Sequence, residues 1–244
     1  MKTIYAVWEK ENIGVNAYEI ILDEHDTIES IKEEEDRIRS KGANYIVLKA
    51  PVNVQHLLFG LPSLGYTFLE MVFGVQIKRN EYHMPELVTR FDRGFSVSHV
   101  TTENDLNRIF NYIRQGLFEN DRISIDPYFS LELGNNRYIN WINTLLEKGS
   151  FLYEVMLKDR PIGFFIIERK NETTVDPVLM GLYDKANDRG LGSLLHKKTL
   201  DTCFTHDCTQ LTSTIVSNNA SVLRIYVQAG ATLYHTHYTY IKHI

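Results

Sequence analysis

Two hydrophobic periods alternate along the chain and predict an α/β (α+β) fold in two parts. Three observations carry that expectation. Short apolar runs bounded by turn residues fit strands, and they alternate with stretches whose apolar residues recur at three- and four-residue spacing, as on amphipathic helices. A strand-like run at residues 178–183 leads through a short loop into a glycine-rich helix opening, Gly190-Leu191-Gly192-Ser193. A polar stretch at residues 79–94 separates a small amino-terminal α/β domain with its linker (residues 1–94) from a larger domain (residues 95–244).

In the first part, residues 15–22 read as a strand. Asp26 with Glu29 has the spacing of a capping box, and Ile28, Ile31 and Ile38 mark the apolar face of a helix that ends at Gly42. The run Glu33-Glu34-Glu35-Asp36 is expected on its solvated side. Residues 43–50 read as a buried strand stopped by Pro51, residues 52–60 as a short helix, and residues 66–78 as one or two strands.

In the second part, residues 96–100 read as a strand. Residues 103–117 follow as a helix, with Leu106, Ile109, Phe110 and Ile113 on one face. A loop over 121–136 precedes a helix over 137–147. Residues 150–158 and 161–169 read as a hairpin turning over Asp159-Arg160, and residues 175–183 as a fourth strand. A helix over 191–206 has an apolar stripe that is clear at its start and muddled later. A fifth strand over 211–217, a helix carrying Val222, Leu223, Tyr226 and Ala229 on one face, and a final strand pair over 232–242 complete the chain.

Composition narrows the class. Of the 244 residues, 43% are hydrophobic and 23% charged, which is ordinary for a globular chain with a core. The formal net charge of −5, with no basic blocks, gives no electrostatic case for nucleic acid. No run approaches the ~20 apolar residues of a membrane span, and the apolar run near Met1 is too short for a signal peptide. A cytoplasmic protein without nucleic-acid or membrane partners is expected. Cys203, His206 and Cys208 form C-x-x-H-x-C, but a structural zinc needs four ligands and no second cluster is near, so no metal is expected. His235, His237 and His243 alternate on the terminal strand and read as one solvated face.

The glycine-rich opening is the chemical signal. The first N–H groups of a helix lack intrahelical partners and lie at the positive end of its dipole, so a pyrophosphate can rest there. Gly190 and Gly192 let the backbone approach the oxygens, and Arg189 adds charge. A Walker loop is excluded because no G-x-x-x-x-G-K-[ST] run exists. A Rossmann fingerprint is excluded because Leu195 occupies the third glycine position. A phosphate-bearing ligand of another kind is expected there. A second motif follows one helix and one strand later: Asn219, Tyr226 seven residues on, and Gly230 four after that.

Together the two motifs resemble the GNAT superfamily of N-acetyltransferases, whose glycine motif is Q/R-x-x-G-x-G/A and whose following motif is N-x-x-A-x-x-L-Y-x-x-x-G-F. Asn187 stands in place of Gln or Arg, Val222 in place of Ala, and Ala231 in place of Phe. The resemblance implies the GNAT fold, a central mixed sheet flanked by helices, with acetyl-CoA as co-substrate and no metal. It implies a splay between the fourth and fifth strands of that core that admits the pantetheine. Leu182 and Tyr183 would face the thioester through backbone N–H groups, and Arg189, Gly190, Leu191, Gly192 and Ser193 would hold the pyrophosphate. Asn219 would bond the pantetheine or thiol end, and Tyr226 would protonate the departing thiolate.

The whole length also resembles a narrower group, the dTDP-fucosamine acetyltransferase type of two-domain GNAT. The carrying residues are Trp8-Glu9 and Gly14-Val15-Asn16, Arg122 with Pro127-Tyr128, Tyr138-x-x-Trp141-Ile142, and residues 217–230. That resemblance implies a small-molecule amine acceptor, a nucleotide-linked amino sugar, with Arg122, Asp126 and Tyr128 as its contacts. Asp126, Glu132 and Glu168 are the carboxylates considered as the general base. A peptide or protein amine, a polyamine, and a non-catalytic CoA-binding role remain alternatives, and a homodimer is left open.

Overall fold

The computed structural model describes residues 1–119, 121–183 and 190–244. The chain is a mixed α/β protein. Its first elements are β1 (Lys2–Tyr5), α1 (Val7–Ile13), β2 (Ala17–Ile21), α2 (Ile28–Arg39), β3 (Tyr45–Pro51), α3 (Gln55–Leu58) and β4 (Thr67–Lys78). Then come α4 (Glu86–Arg90), β5 (Phe95–His99), α5 (Glu103–Arg114), α6 (Leu131–Glu147), β6 (Phe151–Leu157), β7 (Arg160–Arg169) and β8 (Thr174–Leu182). The last are α7 (Leu191–Thr205), β9 (Gln210–Val216), α8 (Ala220–Gln228) and β10 (Thr232–His243). Two compact units form. One comprises Met1–Phe73, Val216–Asn218 and His235–Ile244; the other comprises Gly74–Ile215 and Asn219–Tyr234.

In the first unit the strands run β1-β2-β3-β10-β4. β2 and β3 are parallel, and β3 pairs antiparallel with β10 on its other edge. β3 reads as a continuous apolar run because both its faces are covered, with Tyr45, Ile46, Leu48 and Ala50 all buried. Ile31 and Ile38 of α2 join Ile20, Leu48 and Leu57 in one core. The capping box lies one residue later than expected. Thr27 accepts from the Ser30 N–H, and the Ser30 hydroxyl oxygen accepts from the Thr27 N–H. Asp26 instead accepts from the Asp23 N–H at 2.8 Å and ion-pairs with the amino terminus at 3.2 Å. Glu35 departs from its expected solvated position: it is buried, and it pairs with Arg39 at 3.0 Å and with Lys242. β1 and α1 carry no clear sequence signal, since α1 has no side-chain cap at Ala6 and spans only seven residues before Gly14.

In the second unit β5, β6, β7 and β8 form an antiparallel meander, and β9 lies parallel to β8 with the last residues of β4 beyond it. Helices α5 and α6 share a core with this sheet through Ile109, Ile113, Ile142, Leu152, Phe164 and Leu179. α6 starts six residues earlier than expected, at Leu131, because Ser130 caps it by accepting from the Leu133 N–H at 3.2 Å. Its first turns hold Gly134, Asn135 and Asn136, poor helix formers that read as loop. The β6–β7 turn uses Lys158, at φ 55°, and Asp159, and Arg160 already belongs to β7. The expected final strand pair is one strand, β10. Residues 79–94 are tied to α7. Arg79 donates to the carbonyls of Cys208 and Phe204 beyond and at the end of α7, Tyr82 donates to Asp201 at 2.7 Å, and Asp92 pairs with Lys198 at 2.9 Å.

Candidate active site

β8 opens the site. Its pairs with β9 are Thr174 with Gln210 and Val175 with Leu211, both at the amino-terminal ends of the two strands. Beyond them, among the described residues, no ladder joins the rest of β8 to the rest of β9. The register between β7 and β8 shifts between Ile166 and Glu168, which sets two residues, Pro177 and Val178, against one. Proline suits that place because it has no N–H to lose from the ladder.

The direction of the β8 amides follows from one hydrogen bond. Tyr183 donates its N–H to the Ile162 carbonyl at 2.9 Å, toward β7. Backbone groups alternate edges along a strand. The N–H groups of Met180 and Leu182 therefore point to the opposite edge, the one that faces β9 without a ladder. Tyr183 is turned away. Its N–H is engaged, its hydroxyl donates to Glu154 at 2.6 Å, and its ring stacks on Tyr112 at 4.0 Å and 7°. Close approach is built into this corner. A Cβ on Gly163 would sit 2.4 Å from the Gly181 carbonyl oxygen, and one on Gly181 would sit 2.6 Å from Leu117 Cδ2.

After the strand, Arg189 and Asn187 lie outside the described residues. Gly190 is the N-cap of α7 at φ 87°, a conformation glycine adopts freely, and among the described residues no side chain caps the helix. A Cβ there would meet nothing within 4 Å. Gly190 is exposed, and Leu191, Gly192 and Ser193 are half-buried. The next turn plunges into the core at Leu194 and Leu195. An accessible first turn with glycine at its N-cap fits the phosphate role physically.

Tyr226, on α8, is 1% exposed. Burial holds its phenol well above the usual range, so the proton stays on oxygen at neutral pH. Ser213 on β9 faces the hydroxyl and acts in the opposite sense, yet the two fall outside hydrogen-bond geometry and the hydroxyl has no partner among the described residues. A buried hydroxyl without a partner costs about 1–3 kcal/mol unless something fills it. The ring stands edge-on to His196 of α7 at 6.1 Å, whose Nδ1 is 2.8 Å from the Gly192 carbonyl. Ser213 and His196 were not evident from sequence. Each reaches Tyr226 from another element, and no spacing announces that.

The rest of the second motif has structural work. Asn219 occupies the N-cap position of α8, but its side chain makes no cap bond; its Oδ1 accepts from Ser221 at 3.3 Å. It is exposed. Gly230 ends α8 at φ 91°, where a Cβ would lie 2.5 Å from the Glu81 carbonyl oxygen.

Arg122, Asp126 and Tyr128 sit on the connection from α5 to α6. That connection leaves α5 past Leu117, against Gly181, and Phe118, which stacks on Tyr138 at 4.2 Å. Arg122 is half-buried. Asp126 is 4% exposed and accepts the Tyr128 N–H at 3.0 Å, while Tyr128 is 70% exposed. Tyr138 belongs to the core and is not open to stack on a ligand. Glu132 is exposed in the first turn of α6, and Glu168 pairs with Lys170 at 2.5 Å. The Cys203 and Cys208 thiols are buried, and His206 Nε2 is 3.0 Å from the Tyr153 hydroxyl.

The site thus joins a parallel pair open at its carboxyl ends, a helix with glycine at its N-cap and a helix bearing a buried tyrosine. No protein-family model matches the chain, and no curated protein matches it. Solved structures do. The fold is that of the GCN5-related N-acetyltransferases. A functionally unknown conserved protein from Staphylococcus epidermidis is 12% identical, with a TM-score of 0.62 over 93% of this chain and 83% of that one. A GCN5-related N-acetyltransferase from Sphaerobacter thermophilus is 11% identical, with a TM-score of 0.60 over 88% of this chain and 66% of that one. A GCN5-related glucosamine N-acetyltransferase region of a fungal multi-domain β-N-acetylglucosaminidase is 12% identical, with a TM-score of 0.61 over 92% of this chain and 29% of that one. Among the described residues no helix is long and apolar enough to cross a membrane, and no group of three His, Cys, Asp or Glu is placed to hold a metal.

Proposed function

We propose that this protein is an N-acetyltransferase that moves acetyl from acetyl-CoA to a primary amine of a small polar acceptor, a nucleotide-linked amino sugar of the dTDP-fucosamine kind. The observation that carries the reading is the Tyr226 hydroxyl: buried and without a partner among the described residues, at the motif spacing from Asn219 and Gly230. The open β8–β9 edge and the glycine N-cap of α7 support it.

Bound acetyl-CoA supplies a thioester whose carbonyl carbon takes the amine and whose sulfur leaves as thiolate. The chain's residues do the rest. The first N–H groups of α7 receive the pyrophosphate. The Leu182 N–H, on the unpaired edge of β8, donates to the carbonyl oxygen, an oxyanion-type contact. Tyr226 gives its proton to the sulfur, and its elevated pKa keeps that proton in place until the thiolate forms. Of the three carboxylates considered as the base, only Asp126 is buried. The sugar acceptor rests on the whole-length resemblance, and the fungal region described as a glucosamine N-acetyltransferase favours an amine on a sugar.

The test is thiol release from acetyl-CoA with dTDP-linked amino sugars, free amino sugars, polyamines and free amino acids. Turnover is expected with the sugar nucleotides. Tyr226→Phe should lower kcat roughly 10²-fold with little change in acetyl-CoA affinity. Turnover confined to polyamines, with no effect of Arg122→Ala, would overturn the sugar acceptor. Release with no acceptor, or unchanged kcat in Tyr226→Phe, would overturn the mechanism.

A further inference from the structure

Glu154 lies within β6 and is 3% exposed. A carboxylate in such a place is costly unless it is paired and hydrogen-bonded. Both its oxygens are engaged. Arg108 donates from Nε to Oε1 at 3.2 Å and from its terminal nitrogen to Oε2, and the Tyr183 hydroxyl donates to Oε1 at 2.6 Å. Arg108 is itself held by Asp105 at 2.7 Å, and Asp105 accepts from the Thr102 hydroxyl at 2.6 Å at the start of α5. A chain of charged contacts therefore runs from the start of α5 through β6 to a single phenol just past β8.

Tyr183 is fixed three ways. Its hydroxyl is held by β6, its ring lies flat on Tyr112 of α5, and its N–H is bound to Ile162 of β7. The residue before it is Leu182. Among the described residues β8 has no ladder to β9 past Val175, so its end lacks the support that strands ordinarily receive on both edges. Few backbone hydrogen bonds mean easy local opening. Side-chain contacts at Tyr183 replace the missing ladder.

We propose that Glu154 is a positioning residue: by gripping the Tyr183 hydroxyl it fixes the end of β8 and aims the Leu182 N–H across the open edge toward β9. The inference rests on the acetyl transfer proposed above. Stability alone does not account for the arrangement. A buried ion pair is on average no better for stability than well-packed apolar side chains of the same volume, and Leu152 and Val155 show that β6 accepts those. What the charges add is direction. A donor displaced by about 1 Å from the reacting oxygen loses on the order of 10²-fold in rate.

The experiment compares Tyr183→Phe, Glu154→Gln, Glu154→Leu and the double variant Glu154→Leu/Tyr183→Phe. Tyr183→Phe keeps the stack on Tyr112 and removes one O–H. It should lower kcat about 10-fold or more, with KM for acetyl-CoA within about twofold. Glu154→Gln keeps an oxygen for the phenol and should retain most of kcat. Glu154→Leu should match Tyr183→Phe, and the double variant should be no worse than either, because both break one contact. Hydrogen exchange at the amide of residue 183, which donates to the Ile162 carbonyl, should quicken in Tyr183→Phe while the melting midpoint stays put. Unchanged kcat in a folded Tyr183→Phe, or losses that track only the melting midpoint, would overturn the proposal. If the parent protein moves no acetyl group, the reaction has failed rather than the strut. The amide of residue 183 then decides the strut, and exchange no faster in Tyr183→Phe rules it out.

Discussion

Single residues divide by how far their meaning travels in sequence. The placing of Tyr226 on the buried face of a helix was legible because its spacing from Asn219 and Gly230 runs along one element. Ser213, His196 and Glu154 were not, because each acts on a residue that tertiary packing brings near. Asp176 is a further case. It is the third residue of β8, with 15% of its side chain exposed, and burial pushes its carboxyl up to about 6 against the partial relief of Lys170 at 3.7 Å. A carboxyl raised in the folded state binds protons more tightly there than in the unfolded chain. Its contribution to stability is therefore greatest at low pH and falls as pH rises from about 4 to 6. His237 works the other way. Burial lowers it to about 4, with His235 adding to the effect, so stability from that group is present near neutral pH and lost as pH falls through that range. Asp176→Asn isolates the first term. Relative to the parent, the variant should gain on the order of 3 kcal/mol between pH 4 and pH 7, measured by denaturant unfolding at each pH. A stability difference that stays flat with pH would show that Asp176 is not held up by burial.

Elements were legible where one face is buried and one is wet. α5 shows this: Thr102 caps it by accepting from the Asp105 N–H, and Ile109, Phe110 and Ile113 line a single buried face. α7 is the opposite. Its stripe fades because Leu194, His196, Lys197, Thr199, Leu200 and Cys203 are all buried, the helix being covered by the sheet on one side and by Tyr226 and residues 79–92 elsewhere. A helix buried all round has no amphipathic signal to read. The early start of α6 was missed because its cap is clear only once Ser130 is seen to accept from Leu133. The contact of β7 with β8 makes a demand the sequence states only as two glycines. Gly163→Ala would place a methyl 2.4 Å from the Gly181 carbonyl oxygen, a backbone atom that moves only if the ladder moves. Overpacking of this kind costs typically 1–3 kcal/mol, and here the upper end is expected. Thermal unfolding of Gly163→Ala should show it, and a midpoint equal to that of the parent would mean that the strands have room to separate.

At the scale of the molecule, the linear order of the chain is not the order of its packing. β10 pairs with β3, Tyr240 opposite Leu48, so the last residues of the chain complete the sheet of the amino-terminal unit. No periodicity encodes such a return, because strand pairing across the chain depends on which edges are left open. Every described residue assigned a part in acetyl transfer, from Leu182 and Gly190 to Asn219 and Tyr226, lies in the other unit. That unit has its own core, built on Ile109, Ile142, Phe164 and Leu179. A ligand stabilises what it binds by mass action, and at ~100 times its dissociation constant the gain is about 2.7 kcal/mol. Coenzyme A should therefore raise the melting midpoint. It should also slow hydrogen exchange at the start of α7, along residues 180–183 at the end of β8 and just past it, and across α8, which carries the buried tyrosine. The amides of α2 and β3, in the amino-terminal unit, should change least. Hydrogen exchange with millimolar coenzyme A checks both parts at once. Protection that appears only around α2 and β3, or a midpoint that does not move, would place the ligand elsewhere and leave the buried Tyr226 hydroxyl without an assigned partner.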